Sequence, residues 1–171
     1  MDITEVRVLA LAEMNKWGLI KDGWSFSFNR ALTYAGICYL GEEKEIRLSK
    51  PIMQVKDQAF VLDTIRHEIA HALSDDHTHG SEWQKWARKV GCSIAATYRS
   101  CKKEKDLRKE RTKYVMCYKG LIVKRYLRKP AQKTFSNIKG HWLKGIKEES
   151  KGKLYIEAYN PKIHVKEYKP A

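Results

Sequence analysis

The sequence predicts an α+β protein in two parts: helices packed on a small antiparallel sheet, followed by a small basic β module. Three observations carry this. Apolar residues recur at helical spacing in three segments of the first 90 residues, and short segments between them alternate apolar with polar. The charge then changes abruptly. Residues 1–80 hold nine Lys+Arg against twelve Asp+Glu, a net of −3, which leaves 25 against 8, or +17, for the remainder of a chain whose total is +14.

Taken in order, Ile3, Val6, Leu9 or Ala10, Met14 and Trp17 fall on one face of a helix over 3–17. "GWSFSFN" alternates Trp24, Phe26 and Phe28 with Ser25 and Ser27, the period of a half-buried strand. "YAGICYL" and "KEIRLSK" follow as short strands around the turn "GEE", which predicts a three-stranded meander. Residues 57–74 form a second helix, and residues 80–90 a third that Gly91 ends. The stretch 99–113, "RSCKKEKDLRKERTK", is a charged linker or exposed helix. Beyond it "YVMCYKGLIVKRYLRKP" and "KGKLYIEAY" have β character with basic residues interleaved. The domains expected are therefore 1–98, the connection 99–113, and the basic module 114–171.

Composition narrows the function classes. A hydrophobic share of 43% with 11% aromatics suits a folded domain of 171 residues. No run of eighteen apolar residues exists, so no membrane span is expected. The acidic, amphipathic start lacks a basic n-region and a continuous apolar stretch, which predicts a cytoplasmic protein. Cys38, Cys92, Cys101 and Cys117 form no CxxC pair, which argues against a disulfide framework and a four-cysteine zinc site; each is read as a buried apolar thiol. The cationic second half suits a polyanion bound through phosphates, with Lys124, Arg125, Arg128 and Lys129 as candidate contacts.

Residues 67–79, "HEIAHALSDDHTH", carry the chemistry. His67 and His71 at i and i+4 project from one helix face, so both imidazoles reach one zinc ion while Glu68 reaches its water. This is the HExxH arrangement of zincins. A catalytic zinc needs a third protein ligand and one open position. His77 has the metzincin spacing, but Ser74 stands where that pattern has glycine. His79 begins "HGSEW", where Gly80 lets the chain reverse and Trp83 anchors the next helix, so His79 is favoured. Tyr34, Tyr98 and Arg66 are equal candidates for the oxyanion donor. Trp83 reads as core, and Trp86 fits core or base stacking equally. Tyr114, Tyr118, Tyr126, Phe135 and Trp142, interleaved with Lys and Arg, suit either stacking on single strands or a β core. His164 reads as a surface histidine.

The elements "HEIAH" at 67–71 and "HGSEW" at 79–83 resemble the SprT-like (Spartan-like) zinc metalloprotease family, in which a helix bearing HExxH is followed by a variable loop and HGxxW or HGxxF. "GWSFSFNRALTYAGICYLGEEKEIRLSKPI" is similar to that family's strand region, and the resemblance covers roughly residues 5–120. It implies a zincin-like metalloprotease domain in which His67, His71 and His79 bind zinc and Glu68 is the general base acting on zinc-bound water. The substrates implied are proteins, in particular proteins bound or crosslinked to DNA. The family often adds a zinc ribbon with two cysteine pairs. Here Cys117 matches the first cysteine, Gly120 takes the place of the second, and downstream only His141 is offered, so a ribbon-like β module that has lost its cysteine ligands and its metal is expected. The expected partners are protein substrates and DNA, single- or double-stranded and without sequence specificity, and the expected state is a monomer. The rival reading is a nucleic-acid-binding protein with a structural zinc closed by a fourth ligand, Asp76 or His77, and no protease activity.

Overall fold

The computed structural model describes residues 1–95, 98 and 100–169. Residues 99, 170 and 171, which the expected linker and module include, lie outside the described residues. The chain divides into two compact units, Met1–Glu104 and Lys105–Ala171.

The first unit opens with α1, Ile3–Lys16, whose cap Asp2 accepts from the Thr4 amide at 2.8 Å. Val6, Ala10 and Met14, four apart, are buried as one stripe. Three strands follow: β1 (Ser25–Asn29), β2 (Gly36–Tyr39) and β3 (Glu45–Ser49). Their order is β1-β3-β2, with β1 parallel and β2 antiparallel to β3. The meander and the purely antiparallel sheet predicted from the sequence are thus corrected to a mixed sheet. The physical reason is burial. Ile46, Leu48 and Ser49 make β3 the most buried of the three strands, so it takes the centre, and both earlier strands become edges. The loop 30–35 passes over the end of β3, where the Ser49 amide donates to Ala35 O at 2.7 Å. A short helix, α2 (Lys50–Met53), starts at the Ser49 cap with Pro51 in its first turn.

Helix α3, Gln58–Ser74, is capped by Asp57, which accepts from the Phe60 amide at 2.8 Å. It buries Val61, Thr64, Ile65, Glu68, Ile69, Ala70 and His71 against α1, α4 and the sheet. Helix α4, Ser81–Val90, buries Trp83, Ala87 and Val90 and ends at Gly91, whose φ of 78° is the left-handed cap that glycine tolerates. The charged stretch expected as a linker or helix forms α5, Lys102–Glu110, and it is not uniformly exposed. Glu104 is buried, held by Lys56 Nζ at 2.8 Å, the Tyr98 hydroxyl at 2.7 Å and the Cys101 amide at 3.0 Å.

The second unit is built on β4 (Tyr114–Tyr118), β5 (Leu121–Tyr126) and β6 (Tyr155–Ala158), antiparallel in the order β5-β4-β6. Lys119 and Gly120, at φ 48° and 75°, form the two-residue hairpin turn between β4 and β5. One sheet face buries Met116 and Tyr118 with Leu143 and Leu154, and the other buries Val115, Cys117 and Ile122. Between β5 and β6 lie α6 (Gln132–Asn137), a 3-10 turn (Ile138–Gly140) and α7 (Lys147–Ser150), which no sequence periodicity announced because each is under two turns long. Cys38 and Cys117 are buried, Cys92 and Cys101 half-buried, and all four are free thiols. No helix among the described residues is long and apolar enough to cross a membrane.

Candidate metal centre

Helix α3 brings His67 and His71 to one face, and the loop after it returns the chain so that His79 joins them. The His79 Nε2 lies 3.0 Å from His67 Nε2 and 3.3 Å from His71 Nε2. Two nitrogens bound tetrahedrally to one ion at 2.0–2.1 Å stand about 3.3 Å apart, so the trio has the spacing of a metal ligand set. Three basic nitrogens converging this closely have at most a few protons to share, and a cation satisfies all of their lone pairs at once. Together these three residues form a group that could hold a metal ion, and no fourth residue joins them among the described residues.

One tautomer is fixed by geometry. The His71 Nδ1 stands 2.6 Å from the Asp76 carbonyl, which can only accept, so Nδ1 carries the proton and Nε2 presents its lone pair to the centre. Burial, then the charges of His71 and His79, press the His67 pKa down to about 4. The His71 pKa is lowered as well, chiefly by burial. Both shifts favour the unprotonated, ligating form of the rings.

The turn toward His79 differs from the sequence expectation. Gly80 has φ −68°, ordinary extended backbone, and so does not reverse the chain through glycine's freedom. The reversal is made by Asp75, in the left-handed region at φ 50°, and by Asp76, whose carboxylate accepts from the Thr78 amide at 2.7 Å and the Thr78 hydroxyl at 2.8 Å. Asp and Asn are the residues that adopt this conformation at least cost after glycine. The His79 carbonyl is held by Gln84 Nε2 at 3.1 Å. Trp83 is fully buried against all three histidines, its ring centroid 4.8, 5.4 and 4.5 Å from those of His67, His71 and His79.

Glu68 is 6% exposed, and burial raises its carboxyl pKa to about 8. His77 is exposed and outside the ligand group. Of the three oxyanion candidates, Arg66 is committed to Glu13 at 3.1 Å and Tyr98 to Glu104 at 2.7 Å. Tyr34 remains solvent-exposed on the loop leading into β2. Trp86 is half-buried, with the Lys89 ammonium 4.3 Å from its ring centroid.

In the second unit Lys124, Arg128 and Lys129 are exposed, whereas Arg125 donates to Glu167 at 3.2 Å and lies 5.1 Å over the Tyr159 ring. His164 is 4% exposed, which corrects its reading as a surface residue. The tail bends at Asn160, and its amide donates to His164 Nδ1 at 2.8 Å; Nε2 then carries the proton and donates to Glu157 at 2.9 Å. Cys117 lies close enough that Cys117, Glu157 and His164 cluster like metal ligands, but both ring nitrogens of His164 are already engaged within the protein. Sequence reading missed this cluster and Gly36, the neighbour of Glu68 on β2, and weighed Asp76 only as a fourth ligand, whereas here it shapes the loop and fixes the His71 tautomer. The isolated glycine in the strand "AGICYL" was the one available signal for that neighbour.

Two comparisons bear on the assignment. The SprT-like family model matches residues 8–105, from α1 into the first turn of α5, with the three histidines inside. Protein SprT of Enterobacter sp. (strain 638) is 39% identical over 69 residues, 37% of this chain and 41% of that protein, so the chain spans well under half the length of this curated relative.

Proposed function

The chain belongs to the SprT-like family, whose model matches more than half of it, and from that premise we propose that it is a zinc-dependent endopeptidase acting on proteins associated with DNA. The observation that carries the reading is the triangle of Nε2 atoms at 3.0 and 3.3 Å, with Glu68 next to His67 on the same helix and its side chain buried. A three-histidine set with no fourth protein ligand among the described residues is the donor arrangement of catalytic zinc rather than of a closed structural site, which speaks against the non-enzymatic rival. His67, His71 and His79 would hold the zinc. When bound, zinc polarises the scissile carbonyl and acidifies a water molecule.

The remaining work falls to the chain's own residues. Glu68 takes a proton from the attacking water and delivers it to the leaving nitrogen. A base that must accept and then release a proton works best when its pKa is near the operating pH, and burial moves Glu68 in that direction. The Asp76 carbonyl keeps His71 in the ligating tautomer. Trp83 packs against all three imidazoles from the core side and so keeps water from that side of them.

The cationic second half supports DNA as the carrier of the substrates, with exposed Lys124, Arg128 and Lys129 meeting phosphates and the tied Arg125 contributing less. The test is zinc content with proteolysis of casein and of a DNA-binding protein, with and without DNA. One zinc per chain, cleavage abolished in Glu68→Gln with zinc retained, and DNA acceleration confined to the DNA-binding substrate are expected. A zinc-loaded wild type that cleaves neither substrate refutes the enzyme reading.

A further inference from the structure

We propose that Gly36 is a positioning residue for Glu68: the bare backbone of β2 forms the wall against which the general base is held, and only glycine leaves room for it. The inference rests on the protease reading for its catalytic consequence and on geometry alone for its structural one.

Gly36 opens the edge strand β2, paired with Leu48 of β3 and packed beside α3. Its φ is not in the left-handed region, so its own backbone conformation does not call for glycine. The demand comes from a neighbour. A Cβ added here would stand 2.6 Å from Glu68 Oε1, 2.8 Å from Cγ and 2.9 Å from Cδ, and these are its three nearest atoms. Real Cβ contacts hardly ever fall below 3.0 Å, so even alanine forces the carboxylate or the strand to move. Cys38, two residues along and on the same strand face, is also buried, and the Glu68 charge adds to the burial that raises its thiol pKa.

What makes this contact decisive is that no protein group among the described residues holds the carboxylate in its place. Glu68 makes no hydrogen bond and no ion pair among the described residues, although it is 6% exposed. Its place on α3 fixes the Cα, and packing against the Gly36 backbone fixes where the carboxylate lies. Restoring ordinary contact of about 3.4 Å requires a displacement approaching 1 Å, and misplacement of a reacting group by that much costs on the order of 100-fold in rate.

The experiment is a cycle of four full-length proteins: wild type, Gly36→Ala, Glu68→Ala and the double variant. Thermal unfolding, zinc content and steady-state proteolysis are measured on them. Gly36→Ala should lower Tm by about 2–5 °C when Glu68 is present, a modest overpacking effect because the clash falls on the outer part of a flexible side chain. With Glu68 truncated to alanine the same substitution should be neutral or slightly stabilising, since alanine restricts the unfolded chain more than glycine does. Zinc should remain at one per chain in Gly36→Ala, while kcat falls about 100-fold and KM changes little. An equal Tm loss in both backgrounds would show that β2 itself needs the glycine and would overturn the proposal, as would an unchanged kcat. Inactivity of the wild type would instead refute the protease reading and leave the thermal cycle to judge the Gly36–Glu68 contact by itself.

Discussion

In metal-free protein, Glu68 should make stability fall as pH rises through neutrality. Burial raises its pKa from an ordinary 4.5 to about 8, so between those values the folded state keeps a proton that the unfolded state has lost. Stability is then greatest below pH 4.5 as far as this group is concerned, declines from 4.5 upward, and levels off above 8. The interval is roughly 3.5 pH units at about 1.4 kcal/mol each, which gives a ceiling of ~5 kcal/mol above pH 8 and ~3 kcal/mol at pH 7. Glu68 as a residue is 6% exposed, so solvent screening removes only part of this. Glu68→Gln keeps the shape and abolishes the titration. His67, depressed to about 4, has the opposite slope, with stability rising from pH 4 to 6.5, but it is present in both proteins and cancels in their difference. The assay is urea unfolding with chelator at pH 5, 7 and 8.5. The variant should gain on the wild type by several kcal/mol across that range, and the gain should shrink with zinc bound, because a cation favours the carboxylate. Parallel pH profiles for the two metal-free proteins would refute the buried, unpartnered description of Glu68.

Three further outcomes follow from the same coordinates. His79→Ala should strip zinc and activity while His77→Ala leaves both within a few-fold; zinc content by metal analysis decides, and the reverse order would remove His79 from the ligand set. Asp76→Ala should weaken zinc binding about 10-fold without unfolding the helix, since it frees Thr78 and loosens the approach to His79; chelator competition measures it. DNA affinity should fall steeply with salt, and a Lys124, Arg128 and Lys129 triple alanine variant should flatten that dependence, whereas Arg125→Ala should chiefly lower Tm by freeing Glu167 and uncovering Tyr159. Salt-independent binding in fluorescence anisotropy would exclude phosphates as the contact.

What could be read from the sequence was what is local. The His67–His71 pair needs only the pitch of one helix, and the spacing of Val6, Ala10 and Met14 needs only another. The β strands were found by alternation, but their order was not, because alternation says which face is buried and not which strand is central; the greater burial of Ile46, Leu48 and Ser49 is a tertiary fact. His164 was misplaced for the same reason. Its neighbours Ile163 and Val165 are both strongly exposed, an inversion of the usual pattern, and only the Asn160 bend and the Glu157 partner on β6 draw the imidazole inward.

The expectation for Gly80 had the right effect and the wrong cause, and the difference bears on how the site holds its third ligand. A glycine hinge would leave the loop 75–80 free to sample many paths, and ordering it on zinc binding would cost conformational entropy at each residue. Here the left-handed residue is Asp75, and Asp76 uses its carboxylate twice on Thr78 and its carbonyl once on His71. One residue therefore shapes the loop that delivers His79 and also sets the tautomer of His71. Coupling the two through Asp76 means that His71 and His79 both depend on a single local turn, so a change at Asp76 disturbs two nitrogens of the triangle at once.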